Sequence, residues 1–314
     1  MKLETDDFLK DILRWKKFYI YEKKTLQRSE KTLEQYERIL ESFYNFSIEH
    51  EDYMSISSIS KQYILNFLIY KDEENGKEKS ATSKHSYITV LKSFFKYISE
   101  NNAEKTNLVE NIKGLVIKLP KREPKGINAD EVTLLLTTLE DTLKKDFKTE
   151  KSKITTFRNI LIIKVLLYGG LRASEALGLK FEDIEYLPKH EVYKIKVLGK
   201  GNKERYTYID NYKIKEEITY LINKKREYVA ETKPGKIMDR KNLWSMVFSY
   251  YRKAGVDKKQ GIHILRHTFA QSLVESNVNL STIQDLLGHA NIQTTMIYAR
   301  TNEKNKIEAI KNNN

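Results

Sequence analysis

The chain contains no cysteine. Disulfides, thiolate metal sites and cysteine nucleophiles are therefore excluded. It holds only four prolines, and two of them, Pro120 and Pro124, fall in one short stretch. No apolar run approaches the roughly 20 residues that a membrane span needs. The opening residues are too acidic and mixed for a signal peptide. A cytoplasmic protein with no membrane partner is expected. Acidic side chains are the minority, 43 against 56 Lys and Arg, for a net charge of +13. Such an excess suits a polyanion, most often nucleic acid. A lysine-rich surface with no such partner would have the same composition.

What is present is a helical pattern long enough for two cores. Phe8, Ile12, Trp15 and Tyr19 recur at helical spacing within Asp6 to Lys23. A second helix is expected after Ser29, a third from Ser60 to Lys71 ahead of a turn at Glu74 to Lys77, and a fourth from near Ser80. Short links between them predict a four-helix bundle. Lys118 to Gly126 lacks apolar periodicity and reads as a basic linker. Beyond it, helices are expected at Asn128 to Lys144, with Asn128 and Glu131 as a capping pair, and at Ile154 to Tyr168, stopped by Gly169 and Gly170. A short helix then restarts around Arg172. Strand signal occurs only at Val192 to Leu198 and Arg205 to Ile209. Gly199 to Asn202 between them is turn chemistry, which puts Lys200 on a hairpin tip. Further helices are expected at Ile214 to Tyr228, Asn242 to Ala254, Ile264 to Glu275 and Ser281 to Leu287, with a short one ending near Tyr298. The expected fold is mainly α with a small antiparallel β-hairpin or sheet, in two domains.

Six residues of the second half carry chemistry together. Arg172 can pair with Glu175 one turn on, although a surface ion pair at a helix start would look the same. Lys200 sits between glycines, but their spacing does not match a phosphate-binding loop. His263 and Arg266, three apart, share a helix face. His267 could instead join His263 on zinc, but the intervening glutamate of the usual motif is missing. His289 follows the helix-ending Gly288. Ser281 to Thr295 also reads as a helix-turn-helix, which would make a DNA-binding regulator without catalysis. Tyr298 stands nine residues beyond His289. A phenol needs a base or a cationic field to attack phosphorus near neutral pH. Two arginines and a histidine can hold the phosphorane oxygens. A lysine can protonate the leaving oxygen and a histidine can accept the tyrosine proton. This scheme needs no metal and no cofactor.

These residues stand in the order and spacing of the tyrosine recombinases, the phage-integrase-like family. The wording most resembles the Xer-type branch, in Gly169-Gly-Leu-Arg-Ala-Ser-Glu175, Gly199-Lys-Gly-Asn-Lys-Glu-Arg205, Leu265-Arg-His-Thr-Phe-Ala270 and Leu286-Leu-Gly-His-Ala290. The resemblance extends upstream, to Thr32 with Tyr36 and to Ser83 through Tyr97. It implies a helical core-binding domain at 1–117, a linker at 118–127 and a mixed α/β catalytic domain at 128–314. It implies a clamp around double-stranded DNA, a 3′-phosphotyrosyl intermediate, and strand exchange through a Holliday junction in a homotetramer on paired sites. Arg172 and Arg266 would hold the scissile phosphate, Lys200 would be general acid, His263 general base, His289 a donor to a non-bridging oxygen, and Tyr298 the nucleophile. Glu175 would support Arg172. Dimer resolution and mobile-element integration both remain open, as does a second recombinase or DNA translocase as partner. The chain departs from the family pattern in a short segment between Glu231 and Asn242, in Gln260-Gly-Ile before His263, and in a long charged first helix. A type IB-like topoisomerase shares the chemistry but works alone, and a metallo-hydrolase is a further alternative.

Overall fold

Asp7, Ser60 and Ser80 each turn a side-chain oxygen onto the backbone N–H three residues ahead, and each starts a helix. The computed structural model describes residues 2–5, 7–50, 55–70, 78–119, 126–199, 203–256, 261–289 and 295–296. The chain divides into two units, Met1–Lys121 and Arg122–Asn314.

The first unit holds α1 (Phe8–Thr25), α2 (Glu30–Glu49), α3 (Lys61–Ile69) and α4 (Ala81–Asn101). Its core is largely aromatic. Trp15, Tyr19, Phe43, Phe46, Phe67, Phe94 and Phe95 are all fully buried. Phe43 meets Phe67 edge-on with ring centroids 5.2 Å apart, and Tyr19 meets Phe94 at 5.5 Å. Such pairs add geometric preference to area burial. The buried indole of Trp15 donates to the Leu3 carbonyl at 2.9 Å, so its one polar atom is satisfied. The expected stripe of α1 is buried throughout. The turn expected at Glu74 to Lys77 lies outside the described residues.

In the second unit, α5 (Ala129–Leu143) begins at the expected capping box of Asn128 and Glu131. Next comes α6 (Glu150–Tyr168), whose residues Ile160 to Ile163 are all at 0% exposure. A helix apolar on every side belongs inside a core. It packs against α5, α7 (Ala173–Gly178), α8 (Asn211–Ile222), α9 (Arg240–Lys253) and α10 (His263–Glu275). The last fully described helix is α11 (Leu280–Leu287). The expected short helix near Tyr298 falls almost wholly outside the described residues.

Strand content exceeds the expectation. β1 (Ile184–Leu187), β2 (Val192–Leu198) and β3 (Glu204–Asp210) form one antiparallel sheet in that order. β4 (Glu231–Lys233) and β5 (Lys236–Ile237) form a separate hairpin. β2 alternates as read, with Tyr193, Ile195 and Val197 buried. β1 escapes detection because it is a four-residue edge strand with both central residues exposed. The β4–β5 hairpin is organised by a carboxylate rather than by apolar alternation. Buried Glu231 accepts from the backbone N–H groups of Glu227, Tyr228 and Gly235. The helix expected at Ile214 to Tyr228 is also corrected. It starts at Asn211 and ends at Ile222, because the following chain pairs elsewhere. The Phe181 N–H donates to the Glu227 carbonyl at 3.0 Å and the Val229 N–H to the Leu179 carbonyl at 2.9 Å.

Candidate active site

Gly170 prepares the site. Its φ of +62° is left-handed, and a Cβ there would lie 2.3 Å from Cδ1 of Phe269. Only glycine fits on both grounds. The bend delivers Arg172 to the N-cap of α7, where the Arg172 N–H donates to Glu175 Oε2 at 2.7 Å. Arg172 Nη1 donates to Glu175 Oε1 at 2.6 Å, and Nη2 to the Gly288 carbonyl at 2.9 Å.

Two more arginines reach the same carboxylate. Arg205, on β3, donates from Nη2 to Glu175 Oε2 at 2.7 Å. Arg266, on α10, places Nη1 at 3.8 Å from that oxygen. Its guanidinium also donates to the carbonyls of Gly170 and Leu287, both at 2.5 Å. Three guanidiniums against one carboxylate leave the cluster net positive. Arg266 is buried, whereas the Arg172 side chain keeps 34% exposure. The cluster is fixed by charge-assisted bonds, and Arg172 faces solvent from it.

The histidines border this cluster. His263, exposed at the first position of α10, is held below the usual imidazole range by partial desolvation and by Arg240, Arg266 and Arg172. His289 follows Gly288, the left-handed cap of α11. Burial, then Arg266, Arg172, Arg205 and His267, push its pKa down to about 4. Its Nδ1 lies 2.9 Å from Oγ1 of the buried Thr295. At neutral pH the ring is uncharged, so one nitrogen accepts and the other donates. His267, also lowered by burial and by His263 and Arg266, is half-buried within α10. Among the described residues there is no group of three or more His, Asp or Glu that could hold a metal ion.

The structure therefore brings Arg172, Arg266, His263 and His289 into one electrostatic neighbourhood, in which Glu175 ties the two arginines together. Lys200 and Tyr298 lie outside the described residues. The strands leading to Lys200 are placed: β2 and β3 pair up to Leu198 and Glu204, and the Gly199 N–H donates to the Lys203 carbonyl at 2.8 Å. The sequence places Arg205 at a strand start and at the end of the Gly199–Arg205 motif, but gives it no role in the site. The available signal was an arginine at an inward-facing strand position, two residues before the fully buried Thr207. Beside the site, α9 presents Trp244, 45% exposed and stacked on Phe248 at 5.0 Å, against the backbone of Gly261.

Comparison with known proteins follows the same division of the chain. Residues 126–305 match the model described as the phage integrase family. Residues 15–102 match the phage integrase N-terminal SAM-like domain. Tyrosine recombinase XerD of Rickettsia bellii is 31% identical over 274 residues, covering 82% of this chain and 83% of that protein. XerD of Halalkalibacterium halodurans is 28% identical over 252 residues, covering 78% of each. The fold is similar to a crystal structure of the XerH site-specific recombinase bound to a palindromic difH substrate in a post-cleavage complex. That likeness has a TM-score of 0.81 at 22% identity, over 98% of each chain.

Proposed function

Because this chain belongs to the phage integrase family of tyrosine recombinases, Xer-type, we infer that it is a site-specific recombinase that cleaves and rejoins duplex DNA through a 3′-phosphotyrosyl intermediate. The observation that carries this reading beyond family membership is the arginine cluster. Arg172 and Arg266 stand around one carboxylate, with two uncharged histidines beside them. A phosphodiester oxygen can enter on the solvent side of Arg172, where the guanidinium is already oriented.

The roles follow from chemistry. Arg172 and Arg266 hold the scissile phosphate and offset the extra charge of the phosphorane. In this reading His263, kept neutral, accepts the proton of the Tyr298 hydroxyl. Attack of that oxygen on phosphorus forms the phosphotyrosyl bond and breaks the bond to the 5′-oxygen. Lys200 gives the leaving oxygen its proton. His289 donates to a non-bridging oxygen through the ring nitrogen not engaged by Thr295. Religation reverses these steps with a 5′-hydroxyl from the partner strand, and no cofactor enters the balance.

The division into a core-binding domain at 1–117, a linker at 118–127 and a catalytic domain at 128–314 is supported by the two compact units and the two family matches. Double-stranded DNA is the substrate, as in the XerH complex above. Two duplexes in a homotetramer, a cytoplasmic setting, and a second recombinase or DNA translocase as helper extend this reading. No described helix is long and apolar enough to cross a membrane.

The test is covalent trapping. The wild-type chain incubated with a library of nicked duplexes is expected to form an adduct stable to denaturant, whose DNA gives the target on sequencing. Tyr298→Phe is expected to bind that DNA and form no adduct. An adduct persisting in the variant would overturn the assignment. Relaxation of supercoiled plasmid with no preferred site would instead favour a solitary topoisomerase.

A further inference from the structure

Arg205 is the residue of this cluster that the proposed mechanism does not use. Its side chain is 8% exposed, and among the described residues its guanidinium pairs with Glu175 Oε2 at 2.7 Å. Among the described residues, neither Nε nor Nη1 finds a hydrogen-bond partner, and both are buried. Burial disfavours its charged form more than Glu175 favours it, with Arg172 adding repulsion, so its pKa is lowered. A buried cation with unpaired donors is a poor device for stability. An apolar chain of similar length would fill the space at less cost.

What Arg205 does is join three segments. Its backbone belongs to β3, opposite Val197 on β2, near the Gly199 N–H that donates to the Lys203 carbonyl. Its Nη2 grips Glu175, which in turn holds Arg172. The middle of its side chain lies against Gly288, where a Cβ would meet Arg205 Cδ at 2.5 Å and Nε at 2.7 Å. Gly288 precedes His289, and its carbonyl also receives Arg172 Nη2. Thr207, two residues along the same face of β3, makes a parallel tie by donating to the Gly169 carbonyl at 3.0 Å.

We propose that Arg205 is a positioning residue for DNA cleavage, locking the β2–β3 hairpin, Arg172 and the Gly288–His289 turn into one arrangement. The proposal rests on the recombinase reading above. The side chain spans from the strand to Glu175 while packing on Gly288, so a movement of any one segment must move the others. Lysine reproduces the charge and can reach Glu175, but its single terminal nitrogen lacks the planar fork. Methionine reproduces the length and apolar stem with no charge.

The experiment uses the full chain and a nicked duplex carrying the sequence recovered from DNA trapped on the wild type. Adduct rate at saturating DNA, half-saturating DNA concentration and melting midpoint are measured for Arg205→Met and Arg205→Lys. The expected result is a rate lowered about tenfold or more in Arg205→Met, with half-saturation and midpoint near wild type. Arg205→Lys should recover part of the rate. A wild-type rate in Arg205→Met overturns the proposal, as does a loss explained wholly by weaker DNA binding. If Arg205→Met does not fold, Arg205→Lys decides. A slowed adduct at unchanged affinity supports the lock, and a wild-type rate overturns it. Tyr298→Phe, run alongside, tells the two failures apart. Persistence of its adduct sinks the recombinase reading, whereas a Tyr298-dependent wild-type rate in the Arg205 variants sinks only the positioning role.

Discussion

Replacing Glu175 with glutamine tests the centre of the site. The carboxylate accepts from Arg172 Nη1 at 2.6 Å and from both the Arg172 N–H and Arg205 Nη2 at 2.7 Å, with Arg266 Nη1 at 3.8 Å. Glutamine keeps one oxygen and puts an NH2 where the other stood. That group faces a guanidinium donor whichever way the amide turns. Removing one partner of a buried ion pair costs roughly 3–5 kcal/mol, because the remaining charge is stranded. Arg172, at 34% exposure, regains water and softens its share. Arg205 and Arg266, buried and oriented by protein carbonyls or by Glu175, do not. A loss of about 3 kcal/mol is therefore expected in the second unit. For a unit of this size that corresponds to a fall of roughly 6–12 °C in its melting midpoint. The assay is thermal unfolding together with the rate of covalent adduct on nicked DNA. Binding should persist while cleavage falls, because Arg172 loses its orientation and the backbone phosphates still see positive charge. A midpoint within a degree of wild type, with an unchanged adduct rate, would refute the claim that this carboxylate holds the arginines in place.

Other outcomes can be measured with the same materials. Lys200→Ala should slow cleavage of a normal 5′-oxygen far more than cleavage of a 5′-bridging thiol, which leaves without protonation. Equal slowing would remove the general-acid role. His289 is held near pKa 4, below the ordinary 6.5 of an imidazole. The unfolded chain therefore binds more protons there, and the stability tied to the neutral ring is intact above about pH 6.5 and lost as pH falls through 4. His289→Gln should flatten stability against pH in that window, and an unchanged slope would contradict the assignment. Gly170→Ala should unfold or strongly destabilise the second unit, through both its left-handed φ and the 2.3 Å approach to Phe269. A midpoint matching wild type would show that the bend can relax.

The parts of this molecule legible in the sequence are those governed by neighbours along the chain. Asn128 and Glu131 cap α5, and Arg172 and Glu175 form a second box at α7. Both are local patterns, visible three residues apart. His263 and Arg266 share a face for the same reason. The helix-ending role of Gly288 was equally plain. Arg205 was not legible as part of the site, because its partners Glu175 and Gly288 are brought to it only by folding of the sheet against α7 and α11. β4 and β5 were hidden because a buried glutamate, not an apolar rhythm, directs their hairpin. The end of α8 was misread because helix propensity continued past Ile222, while pairing with Leu179 to Phe181 drew the following residues away.

The chain has two tryptophans, and they fall one to each unit in opposite surroundings. Trp15 is sealed at 0% exposure in the aromatic core, and Trp244 lies open at 45%. The molecule thus carries two spectroscopically distinct emitters with no label added. A soluble quencher such as iodide should reach the indole of α9 and spare the one of α1. Emission surviving the quencher then follows unfolding of the helical bundle alone. The quenchable fraction follows the open face of α9, where Trp244 lies against Gly261.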